Sequence, residues 1–306
     1  MPELPEVETV RSDLARLACG DEVVEVKVNE NRVFRDDPSG GRDLVQMEGQ
    51  FVSAVMRWGK YLILLVSPDQ NYRPVQQFGR SIIPSVDWSD HAVTAVLLHL
   101  GMSGQILLLG DRAEDPRHLH LTIGLSSGTR IGFADTRTFG RVLVSSGMGA
   151  GPLNEIRHLG ADPIQDPCGA DLAFDRTSGS VSPIKAQLLD QGRICGVGNM
   201  YADEILIRAK VHPRTPGTNL SNRDISALKR SVYRVFEEAI SLRGSSLKDM
   251  TYKDVSGQPG MFQERHLAYA RAGRPCLICG DSIVKERFQN RYSHFCPNCQ
   301  KLGPCD

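Results

Sequence analysis

The 306-residue chain contains no run of about 18 apolar residues, which excludes an α-helical membrane span. It opens MPELPEVETV, acidic and proline-containing, where a secretory leader needs a basic segment followed by an apolar one. A cytosolic location is therefore the expectation. There is no net charge, with 36 Lys+Arg against 36 Asp+Glu, so the overall balance favours no polyanionic partner. No internal repeat is visible, which sets repeat architectures aside. What remains is ordinary globular composition, 41% apolar and 24% charged, long enough for two cores.

The zero balance hides an asymmetry. From Arg223 to the end there are 14 Lys+Arg and 9 Asp+Glu. A basic last third suits a polyanion, and ordinary fluctuation accounts for it about as well. Of eight cysteines, Cys19, Cys168, Cys195 and Cys305 are scattered and read as small buried hydrophobes.

Val7, Val10, Leu14 and Leu17 recur at helical spacing, so the opening to about Cys19 reads as an amphipathic helix with Pro5 in its first turn. Strand signals follow: alternating Val24, Val26 and Val28, then short apolar runs at 61–66, 95–100, 105–109, 119–125 and 141–144. Their close spacing predicts a β-sandwich. Residues 67–93 read as a long loop, and GMGAGP (147–152) as a linker. Helical patterns come next: 182–191 with Ser182 as N-cap and Pro183 at the first position, Asn199 to about Arg208, and a stripe from Ile225 to Leu242 behind the capping-box-like SNRD. Residues 244–262 read as a polar loop. The predicted fold is α+β and multidomain: 1–146 an N-terminal helix and β-sandwich, 147–262 helical, and 263–306 a small cysteine module.

That module carries C-x2-C, sixteen residues, then C-x2-C: Cys276, Cys279, Cys296 and Cys299. Each turn can aim two thiolates at one point, and two turns complete a tetrahedral zinc site. Four cysteine ligands leave no open position, so one structural Zn2+ is expected, with unligated thiols or two disulfides as the alternatives. His294 is surplus to the ligand set. The intervening segments suit the two strands of a zinc ribbon, with Arg287 and Arg291 able to face phosphate.

PELPEVE, WGKYL (58–62), LHLGMSG (98–104), DTRTFG (135–140), GVGNMYADE (196–204) and the terminal ribbon occur in this order. Together they resemble the bacterial formamidopyrimidine-DNA glycosylases, over residues 2 to about 301. The related endonuclease VIII branch opens Pro-Glu-Gly-Pro; Leu4 here stands where that glycine would be, which favours the purine branch. The resemblance implies an N-terminal helix and β-sandwich, a helix–two-turns–helix module and the zinc ribbon. It also implies a base-excision-repair enzyme, acting as a monomer on damaged double-stranded DNA, that excises oxidised purines and then cleaves the abasic strand.

The resemblance implies the site residues as well. Pro2, once Met1 is removed, matches the Schiff-base nucleophile, Glu3 the general acid/base, and Glu6 the glutamate that orders the site. Without the resemblance, glutamates in a first helical turn are explained by the helix dipole. Lys60 matches the active-site lysine near the lesion phosphate. Asn199 and Arg291 match phosphate contacts, with His120 and Lys185 as further backbone candidates. Met102, Arg137 and Phe139 match the residues that fill the hole left by the flipped base; His99 reads as structural. Three departures stand out: Thr138 where many members have a second arginine, TSGSV (177–181) where lysines are common, and GSSLKD (244–249) in the loop over the base. Endonuclease VIII-like preference for pyrimidines, and a non-catalytic zinc-ribbon DNA-binding protein, are the alternative functions.

Overall fold

The computed structural model describes residues 2–72, 93–110, 115–146, 155–247 and 252–302. The expected linker at 147–152 and most of the expected loop at 67–93 lie outside these residues. The chain divides into two compact units, Met1–His158 with Leu242–Met261, and Leu159–Ser241 with Phe262–Asp306.

The first unit begins with helix α1, Leu4–Ala18, whose Val7, Val10 and Leu14 point into the core. Eight antiparallel strands follow: β1 Val23–Val28, β2 Phe51–Trp58, β3 Tyr61–Ser67, β4 Thr94–His99, β5 Gly104–Leu109, β6 Leu119–Leu125, β7 Arg130–Asp135 and β8 Arg141–Ser146. They form two four-stranded sheets, ordered β1-β6-β7-β5 and β2-β3-β4-β8. Leu62, Leu64, Val96, Leu98, Ile106, Leu121, Ile123 and Phe133 pack with α1 into one core. The sandwich expectation holds, with two strands added. β2 (FVSAVMRW) buries Ser53 and Arg57, so its burial does not follow apolar character. β7 contains Gly132, where a Cβ would meet Leu119 and Leu109 at 2.8 and 2.9 Å.

Residues 242–261 return to this unit. Tyr252 and Val255 join its core, and Leu108 N–H donates to the Val255 carbonyl at 2.8 Å. The expected polar loop is thus partly buried, pinned by a bridge between Ser245 and Met261; residues 248–251 lie outside the described set.

Among the described residues the second unit has four α-helices: α2 Pro167–Asp175, α3 Ile184–Leu189, α4 Asn199–Ala209 and α5 Asn222–Ser241. α3 starts one residue later than the pattern suggested. Pro183 is its N-cap, and the Ser182 carbonyl instead accepts from Gln187 Nε2 at 2.8 Å. The capping box before α5 forms: Ser221 N–H donates to Asp224 Oδ2 (3.0 Å) and Asp224 N–H to Ser221 Oγ (3.2 Å). Strands β9 Val284–Phe288 and β10 Arg291–Phe295 make the ribbon hairpin.

Two adjacent acids on α4 organise this unit. Glu204 is fully buried, and its carboxylate accepts the N–H groups of Leu267, Ala268 and Tyr269 at 2.8 to 3.2 Å while pairing with Arg208. A sequence scan sees a helical glutamate; only the fold shows that it nucleates the segment entering the ribbon. Glu204→Ala strands three backbone donors and an arginine, so urea denaturation should show a loss of about 3 kcal/mol. A loss below about 1 kcal/mol would refute this account.

Candidate active site and zinc centre

Pro2 is buried directly before α1, and Glu3 is the extended N-cap residue. Glu3 and Glu6 are 3% and 1% exposed, and they form a capping box at the start of α1, so the helix-terminus explanation of these acids holds whatever else they do. One Glu6 carboxylate oxygen accepts the Glu3 N–H at 2.8 Å, and the other accepts the Ser245 N–H at 2.8 Å. Glu6 therefore ties the start of the chain to residues 244–246. Gly244, at φ 78°, makes that approach possible: a Cβ there would lie 2.7 Å from Glu6 Oε1. Tyr252 closes the same region, its hydroxyl donating to the Arg243 carbonyl at 3.1 Å. Burial first, then the charge of Glu6, pushes its phenol well above the usual range.

Lys60 occupies the two-residue turn between β2 and β3, where Gly59 takes φ 57° in the type II′ manner. The turn is anchored by residues that sequence reasoning missed. Arg57 Nε donates to Glu8 Oε2 at 2.7 Å, and Arg57 Nη1 donates to the Gly59 carbonyl at 2.9 Å. The arginine side chain is fully buried and Glu8 is 11% exposed. One ion pair thus locks α1 to the hairpin that carries Lys60. The only sequence signal was a charged residue, Arg57, inside an otherwise apolar strand.

Met102 and Phe139 are 41% and 53% exposed, unlike core residues, and Arg137 is exposed as well. Their two loops touch. Gly101, at φ 59°, lies so close that a Cβ would be 2.5 Å from the Phe139 carbonyl carbon. His99 is structural, as expected: its Nδ1 accepts the Gly101 N–H at 3.0 Å. Burial, then the positive charges of Lys60, Arg141 and Arg35, push its pKa down to about 4.

Two of the expected DNA contacts are buried against protein. His120 is fully buried in β6, its Nε2 sharing a hydrogen bond with the Asp135 carbonyl at 2.9 Å. Lys185 is also fully buried, and its ammonium donates to Asp203 Oδ1 (2.7 Å), Ser293 Oγ (2.8 Å) and the Tyr292 carbonyl (3.0 Å). Both side chains face protein, and Lys185 supports the strand next to Arg291. Arg291 itself is exposed at the start of β10, opposite Phe288. Asn199 is half-buried at the first position of α4, its amide oxygen buried without a partner among the described residues.

The sulfurs of Cys276, Cys279, Cys296 and Cys299 all lie within 4.8 Å of one another. A tetrahedral zinc with bonds of about 2.3 Å needs sulfurs roughly 3.8 Å apart, and two of the contacts are 3.9 and 3.4 Å. The N–H groups of Ile278 and Cys299 point at the sulfurs of Cys276 and Cys296, which suits thiolates. The four thiols fit one structural zinc. His294 is a packing residue, its ring on Asp203 at 3.1 Å. Of the scattered cysteines, Cys195 is buried, but Cys19 and Cys168 are exposed, against expectation.

The family models agree with this layout. The formamidopyrimidine-DNA glycosylase N-terminal domain matches residues 1–142, its H2TH domain residues 159–251, and the zinc finger found in FPG and IleRS residues 273–302. The chain belongs to the formamidopyrimidine-DNA glycosylase family. It is 39% identical to the formamidopyrimidine-DNA glycosylase of Salinispora arenicola, over 98% of this chain and 96% of the relative. The fold matches the MutM (Fpg) protein of Thermus thermophilus, with TM-score 0.79 and 32% identity, covering 99% of this chain and all of the other. It also matches Lactococcus lactis Fpg in complex with abasic-site DNA, with TM-score 0.80 and 29% identity, covering 98% and 99%. The fold class and the zinc expectation are borne out. No helix among the described residues is long and apolar enough to cross a membrane.

Two outcomes follow. The folded pKa of His99 lies below its ordinary 6.5, so protonation favours the unfolded chain. Its contribution is complete above about pH 6.5 and is lost progressively as pH falls toward 4. His99→Asn keeps an acceptor for Gly101 and does not titrate, so the fall in urea midpoint over this window should become shallower; an identical slope would clear His99. Metal analysis should find one zinc per chain and none in Cys296→Ala. A variant that retains full zinc would rule out this ligand set.

Proposed function

We propose that this chain is a bifunctional DNA glycosylase and abasic-site lyase of base excision repair. It acts on oxidised purines, 8-oxoguanine and formamidopyrimidines, in double-stranded DNA. The observation that carries the reading is the placement of Pro2 and Glu3 at a helix start fixed by the buried Glu6 carboxylate. Family membership supports it, as does the Lactococcus lactis relative, which was solved with abasic-site DNA.

The chemistry follows from the residue types. Once Met1 is removed, Pro2 offers a secondary α-amine with a pKa of about 8, more neutral at pH 7 than a lysine. Attack on C1′ of a flipped nucleotide displaces the base, and cleavage of the C1′–O4′ bond, with a proton delivered to O4′, then leaves a cationic iminium. That cation draws electrons as the C2′ proton leaves, expelling the 3′ phosphate, and again as the C4′ proton leaves, expelling the 5′ phosphate. Glu3 moves the protons, first to the deoxyribose ring oxygen. Lys60, Asn199 and Arg291 hold phosphates, and Met102, Arg137 and Phe139 occupy the vacated stack. The zinc shapes the ribbon that presents Arg291. Leu4 in place of the endonuclease VIII glycine favours purines over pyrimidines.

Borohydride should trap a covalent adduct between the Met1-processed protein and an oligonucleotide carrying 8-oxoguanine opposite cytosine. An N-terminal extension that keeps Pro2 as an amide should abolish trapping while the protein still binds the duplex. No adduct with the processed protein would sink the catalytic reading. Faster release of thymine glycol than of 8-oxoguanine would move the enzyme to the pyrimidine branch.

A further inference from the structure

Phe139 and Met102 pose a physical problem. Large apolar side chains gain nothing from half exposure in the free protein, so something other than packing must hold them out. The backbone between Arg137 and Phe139 sharpens the problem. Thr138 sits at φ 54°, a left-handed conformation that β-branched residues avoid. Such a residue persists only where its surroundings over-determine it.

Two side chains to which the resemblance gives no role supply that constraint. Asp135 works from inside, 1% exposed. Its Oδ1 accepts from Ser103 Oγ at 2.5 Å and from the Arg137 N–H at 3.2 Å, and its Oδ2 accepts the Gly140 N–H at 2.6 Å. One carboxylate therefore joins the loop of Met102 to the loop of Arg137 and Phe139. Arg35 works from outside. Its Nη1 donates to the carbonyls of Thr138 (2.9 Å) and Gly140 (3.0 Å), and its Nη2 reaches that of Phe139 at 3.4 Å. Three successive carbonyls share one planar guanidinium, a geometry that lysine cannot reproduce.

We propose that Arg35 and Asp135 are positioning residues that hold Thr138 left-handed and so keep Phe139, Arg137 and Met102 presented for the emptied stack. The inference rests on reading those three as void-filling. The cation that braces this loop comes from the segment after β1.

The test compares single-turnover excision of 8-oxoguanine opposite cytosine with strand cleavage at a preformed abasic site. Excision requires a stacked base to be extruded and replaced; cleavage of the abasic site does not. Arg35→Ala should lower excision about tenfold, the scale of one strained residue released, and change abasic-site cleavage less than about twofold. Asparagine tolerates the left-handed region, so Thr138→Asn added to Arg35→Ala should restore most of the loss. A folding defect would depress both activities alike; that result, or an unchanged excision rate, overturns the proposal. Phe139→Ala separates the two layers. If it lowers excision while Arg35→Ala does not, the positioning role fails alone. If Phe139→Ala leaves excision unchanged, the void-filling reading fails and the proposal falls with it.

Discussion

The buried ion pair between Glu8 and Arg57 is the constraint on which the proposed catalytic end of the molecule depends. It joins the helix that begins two residues after Pro2 to the turn that carries Lys60. A buried pair is a poor device for stability alone, since apolar residues of similar volume often do as well. Its advantage here is directional. Arg57 directs a second donor at the Gly59 carbonyl, so the pair fixes the turn backbone as well as the distance between two elements. Leucines at both positions would fill the space and leave the turn unaddressed.

The same device recurs with carboxylates that accept backbone N–H groups. Glu6 joins residues 3 and 245, Asp135 joins two loops, Asp203 takes the His294 N–H at 2.9 Å, and Glu204 gathers three consecutive donors. Charge-assisted hydrogen bonds are short and directional, and a buried carboxylate deprived of them is costly. Each such residue therefore permits one local backbone arrangement. That is what the proposed site needs where its groups, the Lys60 turn and the exposed Met102, Arg137 and Phe139, receive little positioning from packing.

This explains what was legible in the sequence. The cysteine spacing forces four sulfurs together whatever surrounds them, so the zinc centre could be read directly. Apolar alternation revealed most of the sandwich. β2 and β7 escaped because their interior positions include Arg57, Ser53 and Gly132, whose roles exist only against distant partners. The burial of Lys185 and His120 was hidden for a related reason: a cationic side chain suggests solvent or phosphate until Asp203 or the Asp135 carbonyl is seen beside it. The contact between Glu6 and Ser245 spans 239 positions and carries no local signal. The family motifs pointed to the residues given working roles in the proposed function, while the residues that hold them were visible only in the fold.

Burial and exposure are thus distributed against ordinary preference. Glu3, Glu6, Arg57, Asp135 and Lys185 are inside, while Met102 and Phe139 are outside. Each inversion costs folding free energy on its own, through desolvation in one group and lost burial in the other. The two are coupled at Asp135: its buried charge secures the loops that keep Met102 and Phe139 exposed. An apolar residue at 135 would remove one inversion and release the other. On the proposed reading, the surface that accepts an unstacked duplex is therefore held from inside by a buried carboxylate and from outside by the Arg35 guanidinium.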